Sequence, residues 1–102
     1  MGEWVKLCGR DELPREAEAK EFCVRGHTLC VAVLNGKPLA LDNVCPHRGG
    51  PLAEGTIKHG KIVCPWHQWE FDLATGQATK AASVKAMAYP LRLHGDDVLV
   101  EI

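Results

Sequence analysis

The chain has 102 residues, enough for one domain with a single hydrophobic core and too few for a two-domain enzyme. Hydrophobic residues make up 46% and charged residues 25%, a balance typical of a folded globular domain and not of a disordered one. Lys and Arg number 12 against 13 Asp and Glu, for a formal net charge of -1. This near neutrality argues against nucleic acid or an anionic membrane as a partner, because both are bound through an excess of basic residues.

No apolar stretch of the sequence is long enough to cross a bilayer as a helix. The longest apolar run, Leu29 to Leu34, has six residues, whereas a membrane-spanning helix needs about 20. The first residues lack the basic and apolar regions of an export signal, so we expect a protein that stays in the cytoplasm, or else one given in its mature form. The chain has five cysteines, an odd number. In a reducing compartment such a set is more consistent with metal ligands and buried thiols than with a disulfide framework.

Short apolar segments that end at Gly, Pro, Asn or Asp predict an all-β fold. Asn35-Gly36 is the clearest turn, since a type I′ hairpin needs positive φ at both central positions. Residues Glu12 to Glu21 are rich in helix formers and fit either one helical turn or a solvated loop. The predicted strands, in chain order, are Trp4 to Cys8, Glu21 to Val24, Thr28 to Leu34, Leu39 to Asp42, Lys61 to Val63, Glu70 to Leu73, Leu91 to His94 and Val98 to Ile102.

Two Gly- and Pro-rich loops interrupt the strands, and each carries one Cys and one His. The first contains Cys45-x-His47 and the second contains Cys64-x-x-His67. One such pair is commonly a core thiol and a surface ring, but two pairs in loops of similar composition predict a shared metal site. The proline after each Cys also favours an extended backbone there. We therefore expect Cys45, His47, Cys64 and His67 to bind metal.

The donors alone do not fix the metal, because Cys₂His₂ also forms structural zinc sites. Zinc fingers usually take both Cys from one short element and both His from another, whereas here each loop supplies one of each. This arrangement lets two thiolates bind one iron of a [2Fe-2S] cluster while two imidazoles bind the other. The spacing therefore favours iron over zinc.

The two loops resemble the cluster-binding loops of Rieske [2Fe-2S] proteins over Cys45-Pro46-His47-Arg48-Gly49-Gly50-Pro51-Leu52 and Cys64-Pro65-Trp66-His67. Trp69-Glu70-Phe71-Asp72, Gly76 and Tyr89-Pro90-Leu91-Arg92 are similar to small bacterial Rieske-type ferredoxins. The resemblance implies one Rieske domain over residues 1–102, built as a sandwich of antiparallel sheets. It places the cluster-binding part, about residues 43–72, at one tip.

The resemblance also implies that His47 and His67 form the exposed edge of the cluster site. A docking rim is then expected around them, consisting of Pro46, Arg48, Pro65, Trp66 and Gln68. Trp66 and Trp69 are expected to shield the cluster from water. The other cysteines, Cys8, Cys23 and Cys30, are interpreted as small buried hydrophobic residues, and the other histidines, His27, His59 and His94, as exposed rings beside turns.

The formal charge of such a cluster indicates its redox role. Two ferric ions and two sulfides carry +2, two thiolates reduce this to 0 and neutral imidazoles leave it unchanged, so that one added electron gives -1. An all-Cys site is two units more negative, and His ligands therefore raise the potential from roughly -400 mV to about -150 to +300 mV.

Comparison with high-potential Rieske proteins implies that the reduction potential of this chain lies near the bottom of that range. They resemble this chain at the ligands but differ from it in two ways. They have a disulfide between the loops, at the positions of Gly50 and Trp66, and they have hydroxyl donors at the positions of Trp69 and Phe71. Neither ring can donate an O–H hydrogen bond to sulfur, so the reduced state is less stabilised. We expect a low potential.

The resemblance thus implies a one-electron carrier that accepts an electron from a flavin-dependent reductase and delivers it to a terminal oxygenase. It predicts no catalysis by the chain itself and transient contact with both partners. Two alternatives stay open. One is the small subunit of an assimilatory nitrite reductase, which has similar loops; the other is a structural zinc domain that serves as an interaction module.

Overall fold

The structure is a computed structural model that describes residues 2–46, 49–66 and 68–102. The described residues form antiparallel sheets joined by turns, which confirms the expected all-β fold. They include no helix with the length and apolar character that crossing a bilayer requires. In chain order the strands are β1 (Trp4–Gly9), β2 (Ala19–Val24), β3 (His27–Leu34), β4 (Lys37–Asp42), β5 (Thr56–Lys58), β6 (Lys61–Val63), β7 (Glu70–Asp72), β8 (Ala88–Tyr89), β9 (Leu91–His94) and β10 (Asp97–Glu101).

A four-stranded sheet in the order β2-β3-β4-β8 has apolar residues packed on both faces. Leu29 and Val31 of β3 pack with residues of the sheet β1-β10-β9, whereas Cys30 and Ala32 pack with residues of the sheet β5-β6-β7. Since successive side chains of a strand point to opposite faces, this explains why the longest apolar run of the sequence lies in β3. The third sheet leads directly into the second Cys-containing loop.

Most predicted strand pairs are present. The turn at Asn35-Gly36 has positive φ at both residues, 53° and 75°, and it joins β3 to β4 as expected. The hairpins of β2 with β3 and of β9 with β10 are also confirmed. The chain between Glu12 and β2 is largely the solvated loop; the helical turn is a 3₁₀ turn at Arg10–Glu12, slightly earlier than expected.

Sequence patterning missed β5 and β8. β8 has two residues, which pair with Ala40 and Leu41 and are too few for any periodicity to register. β5 has three residues and ends where Lys58 lies opposite Lys61, a like-charged pair that patterning does not favour. Both strands are set by tertiary pairing.

Cys8 and Cys30 are buried as expected, but the expectation for Cys23 is wrong. Cys23 lies in β2 at the edge of its sheet, where its neighbours Phe22 and Val24 pack against the cluster that contains Leu29 and Val31 and the thiol faces solvent. His27, His59 and His94 are exposed, as predicted.

Gly76 and Gly36 make a matched pair for testing close packing in the segment after β7. Both have positive φ, 82° and 75°, but a Cβ at Gly76 would lie 1.9 Å from the carbonyl oxygen of Ala86, whereas a Cβ at Gly36 would meet nothing within 4 Å. We expect Gly36→Ala to cost about 1 kcal/mol of unfolding free energy and Gly76→Ala about 4 kcal/mol or more, measured by urea unfolding. Equal losses in the two variants would contradict the packing.

Candidate metal centre

Two loops carry the predicted ligands, and the sheets fix where each begins. The first loop leaves the end of β4 at Asp42, and the residue pair Val44 and Pro51 bridges its two sides. The second loop joins β6 to β7, whose last paired residues are Val63 and Glu70. Each loop therefore starts and ends on paired strand or bridge residues.

Each of the two loops is closed by a main-chain hydrogen bond of the same pattern. The amide of Cys45 donates to the carbonyl of Gly50 at 2.8 Å, and the amide of Cys64 donates to the carbonyl of Trp69 at 2.7 Å. In both cases the acceptor lies five residues after the Cys. Gly49 adds a second bond in the first loop, donating to the carbonyl of Cys45 at 2.7 Å with φ at 79°. The similar composition of the loops thus corresponds to similar local structure.

Both cysteine side chains are buried, and their sulfurs are neighbours. Cys45 is 1% exposed and Cys64 is fully buried. Burial raises the pKa of the Cys64 thiol; the backbone N–H of Trp66, which donates to its sulfur, lowers it, and the adjacent Cys45 thiol raises it. All five cysteines of the chain are free thiols. The fold therefore holds two unoxidised sulfurs close enough to share a hydrogen bond.

Gly50 packs against the second loop. A Cβ at this position would lie 2.8 Å from Cγ of Trp66, closer than real Cβ atoms approach, and 3.0 Å from Sγ of Cys64, a tight contact. Gly50 is thus the point where the first loop touches both the indole and the sulfur of the second loop. Gly50 and Trp66, which the sequence analysis singled out together, are therefore in contact.

The expected docking rim is solvent-accessible at the positions that the structure describes. Trp66 is 49% exposed, and Pro46, Pro65 and Gln68 are also exposed. Trp69 is partly buried against the apolar cluster that contains Cys45 and Cys64, the two predicted cysteine ligands. Its ring stacks on Phe71 at a centroid distance of 6.5 Å, and the ammonium of Lys80 lies 5.8 Å from its centroid.

His47, Arg48 and His67 lie outside the described residues, so the structure places two of the four predicted ligands. The two that it places fit an iron–sulfur cluster, because they are buried, unoxidised, soft sulfur donors held side by side. Sequence reasoning did not single out Asn43, a buried residue at the base of the first loop. Its position two residues before a predicted ligand was the one available signal.

Comparison with known proteins gives the family. Residues 3–91 match the Rieske [2Fe-2S] domain. The ferredoxin component of the alkene monooxygenase system of Xanthobacter autotrophicus is 32% identical over 99 residues, which are 96% of this chain and 80% of that protein. The ferredoxin of carbazole 1,9a-dioxygenase from Nocardioides aromaticivorans superposes with a TM-score of 0.87 at 27% identity, and the match covers 96% of each chain.

The chain belongs to the Rieske [2Fe-2S] family. Its cofactor is one [2Fe-2S] cluster of the Rieske type, which sets aside the structural zinc domain. Both of these relatives are ferredoxin components of oxygenase systems, so the expectation of an electron carrier without catalysis of its own is confirmed. A candidate small subunit of an NADPH nitrite reductase also superposes, with a TM-score of 0.85 over 98% of this chain and 99% of that one, but at 16% identity this likeness shows the fold alone.

The contact at Gly50 predicts a specific defect. Gly50→Ala adds a methyl group that must displace the indole of Trp66 and press on the sulfur of Cys64. We expect cluster content per chain, measured by visible absorbance and iron analysis, to fall about fivefold or more, because overpacking a close contact costs about 1–3 kcal/mol.

The double variant Gly50→Ala/Trp66→Ala serves as the control, since it leaves room for the added methyl group. It should recover part of the lost cluster content. Normal content in Gly50→Ala alone would contradict the role of this contact.

Proposed function

We propose that this chain is a low-potential Rieske-type ferredoxin whose cluster is held by Cys45, His47, Cys64 and His67. It accepts one electron from a flavin-dependent reductase and delivers it to a terminal oxygenase, meeting each partner transiently. It works in the cytoplasm, a location supported by Cys8, Cys23 and Cys30, which are not cluster ligands and form no disulfide. The cluster-binding part is residues 43–72 of a single domain over residues 1–102.

One observation supports this function above the others. The sulfurs of Cys45 and Cys64 are buried and adjacent, yet residues of the same two loops, Pro46, Pro65 and Trp66, are exposed. A carrier needs this combination, because its redox centre must be protected from water while staying close to a surface that a partner can cover. When bound, the cluster supplies a single site for one electron.

The residues of the loops have separate tasks in this proposal. Cys45 and Cys64 supply the two thiolates, and His47 and His67 supply the two imidazoles. The amide of Trp66 donates a hydrogen bond to the sulfur of Cys64 and so stabilises negative charge there. Trp69 covers the apolar side of the second loop and excludes water from it.

A low potential is supported by the residues next to the ligands. Neither loop contains Ser, Thr or Tyr over residues 43–55 or 64–69. Phe71, in β7, is fully buried in the apolar cluster that contains both ligand cysteines. With no hydroxyl donor in these loops or at Phe71, the reduced cluster gains less stabilisation from hydrogen bonds to sulfur.

The function is tested by reconstituting electron transfer. The purified chain is mixed with a flavin-dependent reductase and a terminal oxygenase of a Rieske ferredoxin system, and oxygenase reduction by NADH or NADPH is followed by absorbance. We expect reduction to require the chain. Reduction that is equally fast without it, or copurification of the chain with a large sirohaem subunit, would contradict the proposal and support the nitrite reductase alternative.

Substitution of a predicted His ligand tests the ligand set. We expect His67→Ala to lose the Rieske absorption and EPR spectra, because an imidazole ligand to iron is removed. His94→Ala changes an exposed ring in β9 and should keep both spectra. A normal spectrum in His67→Ala would remove His67 from the site.

The low potential can be tested by adding a hydroxyl group next to the ligands. Phe71→Tyr should raise the midpoint potential by about 60 mV, the shift that a hydrogen bond worth roughly 1.4 kcal/mol gives a one-electron couple. Phe22→Tyr, on the partly exposed strand β2, is the matched control and should leave the potential unchanged. A native midpoint well above zero would contradict the low-potential assignment.

A further inference from the structure

Asn43 is buried in the interior although its side chain is polar. It is 4% exposed, and it is the one buried polar side chain among residues 2–46, 49–66 and 68–102. An amide without partners in such a place is costly, so each of its groups should have a defined role. The hydrogen bonds of Asn43 show what that role is.

Two of these bonds close the base of the first loop. The amide of Ala53 donates to Oδ1 of Asn43 at 2.7 Å, and the amide of Leu52 donates to the Asn43 carbonyl at 2.8 Å. One residue therefore holds the far end of the loop against its beginning. Cys45 lies inside the segment that these bonds enclose.

The other two bonds attach that base to the four-stranded sheet. Nδ2 of Asn43 donates to Oε1 of Glu21 in β2 at 3.2 Å, and the Asn43 amide donates to the carbonyl of Thr28 in β3 at 2.9 Å. The side chain thus spans the distance between an edge strand and the end of the loop. No apolar residue of similar size could make both side-chain bonds.

The same base also reaches the second loop. Two residues beyond Ala53, Gly55 packs so closely on β6 that an added Cβ would lie 1.8 Å from the carbonyl oxygen of Val63. Val63 immediately precedes Cys64. Asn43 is therefore linked to both ligand cysteines, to Cys45 through the loop that it closes and to Cys64 through Ala53, Gly55 and Val63.

We infer that Asn43 is a positioning residue for the cluster: it fixes the separation of the two Cys-containing loops and so determines how firmly the cluster is held. This inference rests on the ligand assignment in the proposed function. Burial of Leu52 also draws the loop into the core, but apolar packing is not directional. The hydrogen bonds of the Asn43 side-chain amide are directional, and they therefore fix the position of the loop end relative to the sheet.

The test compares three variants as holoproteins. Asn43→Ala removes both side-chain bonds; Asn43→Asp keeps an acceptor for Ala53 but faces the carboxylate of Glu21. In the double variant Asn43→Asp/Glu21→Gln the pair is restored with its roles exchanged: the amide introduced at position 21 donates to the carboxylate introduced at position 43. The readouts are the rate of iron transfer to ferrozine, the midpoint potential and the EPR spectrum of the reduced state.

We expect iron loss about tenfold faster in Asn43→Ala, the effect of leaving one buried donor unpaired. In Asn43→Asp it should be about threefold faster, and in the double variant it should return to within about twofold of the native rate. The EPR spectrum and the potential should change in the first two variants and recover in the third. If Asn43→Ala does not fold, the other two variants decide the question.

Gln77→Ala is the matched control for a general loss of stability. The Gln77 amide donates to backbone carbonyls of residues 78–84, outside the Cys45 loop. This variant should unfold more easily and keep the native iron-loss rate and EPR spectrum. Iron loss that follows stability equally in Gln77→Ala and Asn43→Ala, or native behaviour of every Asn43 variant, would overturn the inference. A native protein that takes up no cluster would contradict the proposed function instead.

Discussion

Two thiols buried side by side without forming a disulfide are the feature on which the rest of this structure depends. Burial and the adjacent Cys45 both raise the pKa of Cys64, so the arrangement is unfavourable for an empty pair of thiolates. Iron bound at these two sulfurs, as proposed, would reverse this preference, because the cation would replace the thiol protons and offset the negative charge of the sulfurs. Cluster binding would then offset the unfavourable burial of two adjacent thiolates.

The surrounding architecture keeps this pair in place from several directions. Each Cys amide is tied to a carbonyl five residues later, and Gly50 lets the two loops touch at the indole of Trp66. The loops arise from β4 and from the β6–β7 hairpin, whose sheets share an apolar cluster with both cysteines. A formal net charge of -1 offers partners little long-range attraction, so contact through exposed apolar residues such as Trp66 fits an association that forms and breaks easily.

The sequence was most informative where chemistry is local. Asn35-Gly36 predicted a two-residue turn because few other residue pairs accept positive φ, and the spacing of Cys and His predicted a metal site because donors must converge. What it missed depends on distant parts of the chain. β8 exists only through its pairing with β4, Cys23 is exposed only because β2 is an edge strand, and the partners of Asn43 lie 10 and 22 residues away. None of these relations leaves a local pattern.

The proposed redox centre is a cluster shared by two thiolates and two imidazoles that takes up electrons one at a time. Anaerobic coulometric reduction, followed by pulsed EPR of the reduced protein, measures both properties on the same sample. We predict an uptake of one electron per chain and nitrogen couplings from two imidazole ligands. No reducible centre, or a reduced spectrum without nitrogen couplings, would contradict it.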